Sequence, residues 1–220
     1  KTLAELQTNG LSHHFNGFVD EDGKVIENFL QNNRPSKFLS VAAVNVLRPK
    51  IESGNYIYSG YADRPCKTLC PLEVIFRFGV PSGSSLLKRS KNSAYIADLG
   101  LTAPPQEGDK FELPLVEYST KLEATDRYIL RKEAYKIAGL NAVEIKRLED
   151  LTKLLALRLR DLFAEIGVEL WDGKFEFAFS PEKDNEGNRY FWLVDSIGPD
   201  ELRLLYKGMH LSKEAIRSVY

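Results

Sequence analysis

The sequence predicts an α+β protein. Three observations carry that reading: apolar runs of strand length and composition, one long stretch with helical periodicity, and no regular β-α-β rhythm joining them. Residues 1–9 carry the pattern of a helix tail closed by Gly10. Residues 13–18 are short and extended, and Asp20-Glu-Asp-Gly23 is a turn signal. Residues 32–35 form a second breaker cluster. Residues 38–47 are apolar and β-branched enough for a strand, and residues 55–61 alternate aromatic and small side chains like another. Residues 71–78 read as a buried strand, residues 84–89 open a short helix, and residues 103–108 form a loop. A helix over 127–138 ends at Gly139. Asn141-Ala-Val-Glu144 resembles a capping box. It starts a long amphipathic helix whose apolar positions, Ile145, Leu148, Leu155, Leu159, Leu162 and Ile166, precede a stop at Gly167. Residues 168–179 and 190–197 form a hairpin across the polar turn 184–188. Residues 211–220 form a short terminal helix.

Composition narrows the function classes. A chain of 220 residues that is 43% apolar holds one large domain or two small ones. A formal net charge of −1 argues against nucleic-acid binding as the main task. No apolar run approaches membrane-spanning length, and no signal-peptide pattern opens the chain. Cys66 and Cys70 have no second pair, which excludes a four-cysteine metal site, and their scarcity points to a reducing, cytoplasmic compartment. His13, His14 and His210 lack ligand spacing. The chain opens at Lys1, and its only methionine is Met209, so a piece of a longer reading frame or a processed chain is expected.

Two segments carry chemistry. In Pro71-Leu-Glu-Val-Ile-Phe-Arg-Phe-Gly-Val-Pro-Ser-Gly-Ser-Ser-Leu-Leu-Lys-Arg89, an apolar strand ends in Arg77, a planar fork of donors suited to phosphate. Gly83 lets backbone N–H groups approach an anion, and Ser84 and Ser85 add hydroxyls. In the hairpin, Phe175, Phe177 and Phe179 share one face, and Lys174 and Glu176 share the other. On the returning strand Leu193 and Asp195 share a face. A register that pairs the polar faces brings Glu176 and Asp195 to one cation, and two strand carboxylates beside Lys174 suit Mg²⁺ and a nucleoside triphosphate. The blander reading of the same spacing is a solvated strand face. Asp200 and Arg203 follow within nine residues of Asp195. Lys121, Glu123 and Asp126 form a polar loop that either touches a nucleotide or simply precedes a helix. Asp172 reads as a turn residue, and Tyr56, Tyr58 and Tyr61 as packing.

These motifs resemble the SAICAR synthetase family. The stretch from Pro71 to Arg89 resembles that family's Pro-Leu-Glu-Val-x-x-Arg…Gly-Ser followed by Lys-Arg. Leu170-Trp-Asp-Gly-Lys-Phe-Glu-Phe177 resembles its Asp-x-Lys-x-Glu-Phe. Val194-Asp-Ser-Ile-Gly-Pro-Asp-Glu-Leu-Arg203 resembles its Asp-Glu-x-x-x-Pro-Asp-x-x-Arg, and residues 10–15 resemble its helix-to-strand segment. The motifs stand in the family's order. The resemblance implies an ATP-grasp-like, two-lobed architecture with mainly antiparallel sheets. Residues 1–78 would be the remainder of the N-terminal lobe, and 79–220 the C-terminal substrate- and metal-binding lobe.

It also implies an ATP-dependent ligase that joins aspartate to carboxyaminoimidazole ribonucleotide through an acyl phosphate. By resemblance Glu176 and Asp195 serve Mg²⁺, Lys174 the reacting phosphate, Arg77 and Ser84 the ribonucleotide phosphate, and Arg203 the substrate carboxylates. Lys121 and Asp126 match a loop that closes on nucleotide and substrate. The implied partners are small molecules, with neither nucleic acid nor membrane; a homo-oligomer is left open. The chain departs from the family in four places. One extra residue between Arg77 and Ser84 sets Ser82 against Ser84, Ser196 stands where glutamate is common, and Ala178 stands where glycine usually follows. The family's glycine- and lysine-bearing N-terminal hairpin is not in this sequence. That last departure raises the alternative of a non-catalytic nucleotide-binding relative.

Overall fold

The computed structural model describes residues 11–26, 36–198 and 200–211. The helix expected over 1–9, the breaker cluster at 32–35 and the terminal helix beyond Leu211 lie outside the described residues. The α+β expectation is met, and every pairing between the named strands is antiparallel. Strands β1 (Phe15–Val19), β2 (Val25–Ile26) and β3 (Phe38–Val41) form a small sheet in the order β2-β1-β3, and β4 (Lys50–Glu52) and β5 (Asn55–Ile57) form a ribbon. The large sheet holds β6 (Thr68–Gly79), β7 (Lys110–Thr120), β8 (Tyr128–Ile129), β9 (Glu169–Lys183), β10 (Arg189–Val194), β11 (Leu202–Tyr206) and β12 (Met209–His210). Its order is β12-β11-β9-β6-β7-β8, with β10 also paired to β9. Helices α1 (Ser85–Arg89) and α2 (Ser93–Asp98) follow β6, and α3 (Arg131–Ala138) and α4 (Ala142–Ala164) follow β8. No helix among the described residues is long and apolar enough to cross a membrane.

Several expected elements are corrected. The strand expected over 38–47 stops at Val41, which pairs with Phe15, the first residue of its antiparallel partner β1. The strand expected over 55–61 lasts three residues, and Ser59–Tyr61 turns as a 3-10 helix that sends Tyr61 into the core. The helix expected from Arg127 starts at Arg131, since Tyr128 and Ile129 pair with Ser119 and Tyr118. Strand β7 is unanticipated: Pro114 removes a ladder donor mid-run, and the pairing with β6 shifts register between Arg77 and Gly79. The long helix has the full capping box. Asn141 Oδ1 accepts from Glu144 N at 2.9 Å, and Glu144 Oε2 accepts from Asn141 N at 3.3 Å.

One face of the large sheet is apolar. Leu72, Val74, Phe76 and Phe78 of β6 and Phe175, Phe177 and Phe179 of β9 belong to the main core with Ile145, Leu148, Leu155 and Leu159 of α4. The Phe76 and Phe175 rings stack with centroids 4.8 Å apart. Alternation then commits the intervening residues to the other face, where the site lies. Cys70 is part of this core, and burial pushes its thiol up to about 12, which keeps it protonated.

The turn from α3 to α4 is fixed by close approach. Gly139 has φ +57, and a Cβ there would lie 2.0 Å from the Tyr61 carbonyl oxygen. Gly139→Ala is expected to cost at least about 2 kcal/mol in urea unfolding, from strain plus displacement of the Tyr61 backbone. Gly187→Ala, with φ +79 but nothing within 4 Å, isolates the strain alone at about 1 kcal/mol. Equal losses in the two variants would show that the Tyr61 contact is immaterial.

Candidate active site

The outer face of β6, β7 and β9 carries charge where the inner face carries phenylalanine. Register places Glu73 opposite both Ser119 and Glu176, Ile75 opposite Glu117 and Lys174, and Arg77 opposite Asp172. Glu73, Arg77, Glu117, Asp172 and Glu176 are all buried. Buried charges persist only when paired, and here they pair across the sheet.

Two clusters result. In the first, Lys174 Nζ donates to Glu73 Oε1 at 2.5 Å, Lys121 Nζ donates to Glu176 Oε1 at 2.6 Å and to Glu73 Oε1 at 3.4 Å, and Ser119 Oγ donates to Glu73 at 3.3 Å. Burial acts to lower the Lys174 pKa, but the bond and charge of Glu73 outweigh it and the ammonium is favoured. Lys121 is raised by the same balance, with Glu176 as its main partner. Glu176 is itself raised, first by burial and then by a hydrogen bond and charge from Asp195. The two carboxyl groups therefore sit within hydrogen-bonding reach of each other.

The expected meeting of Glu176 and Asp195 occurs, but the reason is corrected. Leu193 pairs with Phe177 on the core face, and Val194 pairs with Glu176. Simple alternation would send Asp195 to the core face too. Strand β10 instead ends at Val194, and Asp195 takes a left-handed φ of +62 that turns its side chain out of that alternation.

In the second cluster, Arg77 Nε donates to Glu117, and Arg77 Nη1 donates to Asp172 Oδ2 at 2.7 Å. Arg203 Nη1 donates to the same Asp172 oxygen at 3.1 Å. Burial opposes the charge on Arg77, and Glu117 and Asp172 more than restore it. A cavity of about 330 Å³ opens over this cluster and the edge of the first, lined in part by Arg77, Ser85, Asp126, Tyr128, Lys174 and Arg203. A more apolar cavity of about 380 Å³ lies by Phe78, Phe111, Leu170 and Trp171, but none of the charged residues of the two clusters lines it.

The structure thus gathers Lys121, Lys174, Glu176 and Asp195 in one cluster, and Arg77, Asp126 and Arg203 around the adjoining cavity. Ser84 stands apart. It is buried, and its hydroxyl accepts from Leu86 N as the cap of α1, while the exposed Ser85 lines the cavity. Ser82 is exposed. Asp172 is corrected from a turn residue to a strand residue bridging two arginines. Glu73 and Glu117 are the residues that reading the sequence missed. An acid two positions from Ile75 and four from Arg77, on one face of an apolar strand, was the available signal for Glu73. The loop bearing Lys121 and Asp126 is tied down by Tyr56, whose hydroxyl accepts from Ala124 N at 2.9 Å, and by Tyr58, which donates to Glu123 at 3.1 Å.

Among the described residues no group of three or more His, Cys, Asp or Glu side chains gathers as a metal cage. The adjacent Glu176 and Asp195 fit a magnesium ion, which needs only one or two protein carboxylates and otherwise keeps water and phosphate oxygens.

Comparison with known proteins places this geometry. The family model of SAICAR synthetase matches residues 62–219. A putative phosphoribosylaminoimidazole-succinocarboxamide synthase of Archaeoglobus fulgidus is 35% identical over 98% of the chain, and the chain spans 62% of that protein. The corresponding synthase of Thermoplasma volcanium is 26% identical over 98% of the chain, which spans 65% of it. Among solved structures, a SAICAR synthetase in complex with ADP superposes with a TM-score of 0.64 at 25% identity, covering 98% of this chain and 68% of that one. SAICAR synthetase from Pyrococcus horikoshii OT3 gives a TM-score of 0.63 at 25% identity, over 98% and 70% of the two chains.

Proposed function

The chain belongs to the SAICAR synthetase family, and we propose that its polar sheet face serves the ATP-dependent joining of aspartate to carboxyaminoimidazole ribonucleotide. The observation that carries the proposal is the adjacency of the two buried clusters. A phosphate-handling set (Lys121, Lys174, Glu176, Asp195) borders a cavity rimmed by Arg77 and Arg203. The ADP complex of a related structure supports ATP as the phosphoryl donor.

A carboxylate is a poor acyl donor because its oxygen is a poor leaving group. In the proposed reaction the substrate carboxylate oxygen attacks the γ-phosphorus of ATP, ADP leaves, and an acyl phosphate forms. The aspartate amine then attacks the acyl carbon, inorganic phosphate departs with the C–O bonding pair, and the amine loses a proton to give the amide. Phosphoryl transfer is mostly positioning and charge stabilisation. Lys174, held as an ammonium by Glu73, is placed to neutralise charge on the transferring group. Arg77 and Arg203 bind the substrate's anionic groups, with Ser85 lining the same cavity and Ser84 capping the helix beside it. Lys121 and Asp126, on the tethered loop, flank the two clusters. Glu176 and Asp195 would hold Mg²⁺, which supplies charge neutralisation of the ATP phosphates when bound. A cytoplasmic setting accords with this biosynthetic chemistry.

The test is ADP release by the full-length protein with each substrate omitted in turn. Release is expected only with ATP, Mg²⁺, aspartate and the imidazole ribonucleotide all present, and omission of either acceptor should reduce it at least about fiftyfold. Undiminished ADP release without aspartate would make the protein an ATPase or a kinase and end the ligase reading.

A further inference from the structure

Alternating charges run in one line beneath the polar cavity. Arg89 Nη2 donates to Glu117 at 2.9 Å, Glu117 accepts from Arg77, Arg77 donates to Asp172, and Asp172 accepts from Arg203. Arg77, Asp172 and Arg203 line the cavity, whereas Glu117 and Arg89 lie behind it. Glu117 is 2% exposed and accepts from both arginines. Arg89 is gripped independently. Its Nε donates to the Tyr95 hydroxyl at 2.8 Å, and its guanidinium carbon lies 3.4 Å from the centre of the Tyr128 ring.

We infer that Glu117, anchored by Arg89, is a positioning residue for Arg77 that fixes which guanidinium donors face a phosphorylated substrate. A guanidinium is a rigid planar fork whose recognition of phosphate depends on its plane. Held only by Asp172, Arg77 would pivot about its side-chain bonds. With Nε on Glu117 and Nη1 on Asp172, its plane is set, and the unclaimed N–H groups are those left for a ligand. Arg89 also decides the sign of the line: with it, three guanidinium groups face two carboxylates; without it, the charges cancel. Arg77, Glu117 and Asp172 at the middle of the line are buried, so its charge is less screened than that of an exposed row, and an anionic substrate responds to it. In the sequence the Lys88-Arg89 pair closes the phosphate-suited segment without a residue-specific task. The geometry assigns Arg89 one that involves no contact with the substrate.

In naming the substrate this inference rests on the ligase reading, so the test separates the two. In the full-length protein, Arg89→Met is expected to raise KM for the imidazole ribonucleotide at least about tenfold while kcat and KM for ATP stay within about threefold. Arg89→Lys, which restores charge but not the fork, should recover only part of that loss. Glu117→Gln should act in the same direction. Since it leaves the buried Arg77 short of a partner, Arg89, which is partly exposed, carries the decision if that variant misfolds. An unchanged KM for the ribonucleotide, or an equal rise in KM for all substrates, overturns the positioning role. Wild-type protein without turnover ends the ligase reading instead, and nitrogen-15 NMR of arginine side chains then decides. The Arg77 Nε–H held by Glu117 should give a slowly exchanging signal that shifts in Arg89→Met, and a signal identical in both proteins overturns the inference.

Discussion

Asp195→Asn in the full-length protein should lower the rate of ADP release at saturating substrates by at least about a hundredfold, close to 2.7 kcal/mol of transition-state stabilisation. The substitution is unusually clean. Asparagine adopts the left-handed backbone more readily than most residues, so φ +62 is kept without added strain. The side chain is exposed, so no buried charge is orphaned. What changes is one formal charge beside Glu176, whose carboxyl is already pushed up by burial and by Asp195 itself. Losing that charge weakens any hold on a divalent cation at the pair. The thermal transition should move by no more than a few degrees, which separates chemistry from folding. Wild-type turnover in the variant would reduce Asp195 to a turn residue and remove the proposed metal role.

The largest effect on stability is expected at a buried ion pair outside that site. Glu144 and Arg189 are both fully buried, joined at 2.9 Å through Nε and 2.8 Å through Nη2. Glu144 also accepts from Arg189 N and Arg64 Nη2, each at 2.8 Å, and closes the capping box of α4. Glu144→Ala leaves the Arg189 guanidinium buried without its carboxylate and should cost about 3–5 kcal/mol in urea unfolding. The pair also makes stability depend on acid. Burial acts to raise the Glu144 pKa, but its bonds to Arg189 and Arg64 dominate and bring it to about 2, against 4.5 for the free group. A depressed carboxyl stabilises the fold above the unfolded value and loses that contribution as pH falls. The pair should therefore contribute about 3 kcal/mol above pH 5 that disappears between roughly pH 4.5 and pH 2. The urea midpoint of Glu144→Ala should vary much less than wild type across that window. Parallel pH curves would show that other carboxylates govern acid unfolding.

The parts of this molecule legible in its sequence are those set by local periodicity. Lys174 and Glu176 share a face because strand side chains alternate, and α4 announces itself by its capping box and apolar spacing. Arg77 was legible as a candidate site residue, but its burial was not: a strand-end arginine looks like a surface residue until Glu117 and Asp172 are brought to it. Glu117 was invisible because β7 itself was hidden by Pro114. Asp195 reaches Glu176 through a backbone angle that no side-chain pattern encodes. Hydroxyls next to glycine suit a phosphate and a helix cap alike, and only the bond from Leu86 N reveals that Ser84 caps α1. Cross-strand partners 40 and 95 residues apart, as Glu117 and Asp172 are from Arg77, lie beyond any window over which periodicity is read.

That same remoteness has a kinetic consequence. Strand β6 lies between β7 and β9, and Lys174 reaches Glu73 across 101 residues of chain. A growing polypeptide that has not yet delivered β9 holds Glu73 without Lys174 and Arg77 without Asp172, so its half-built floor lacks these cross-strand partners. Loop-closure entropy makes such distant pairing slow, so the ligand-binding surface matures among the last events of folding. Any ligand of this polar face would therefore meet it only once the central sheet is complete, and would favour that completed state over any partly zipped one.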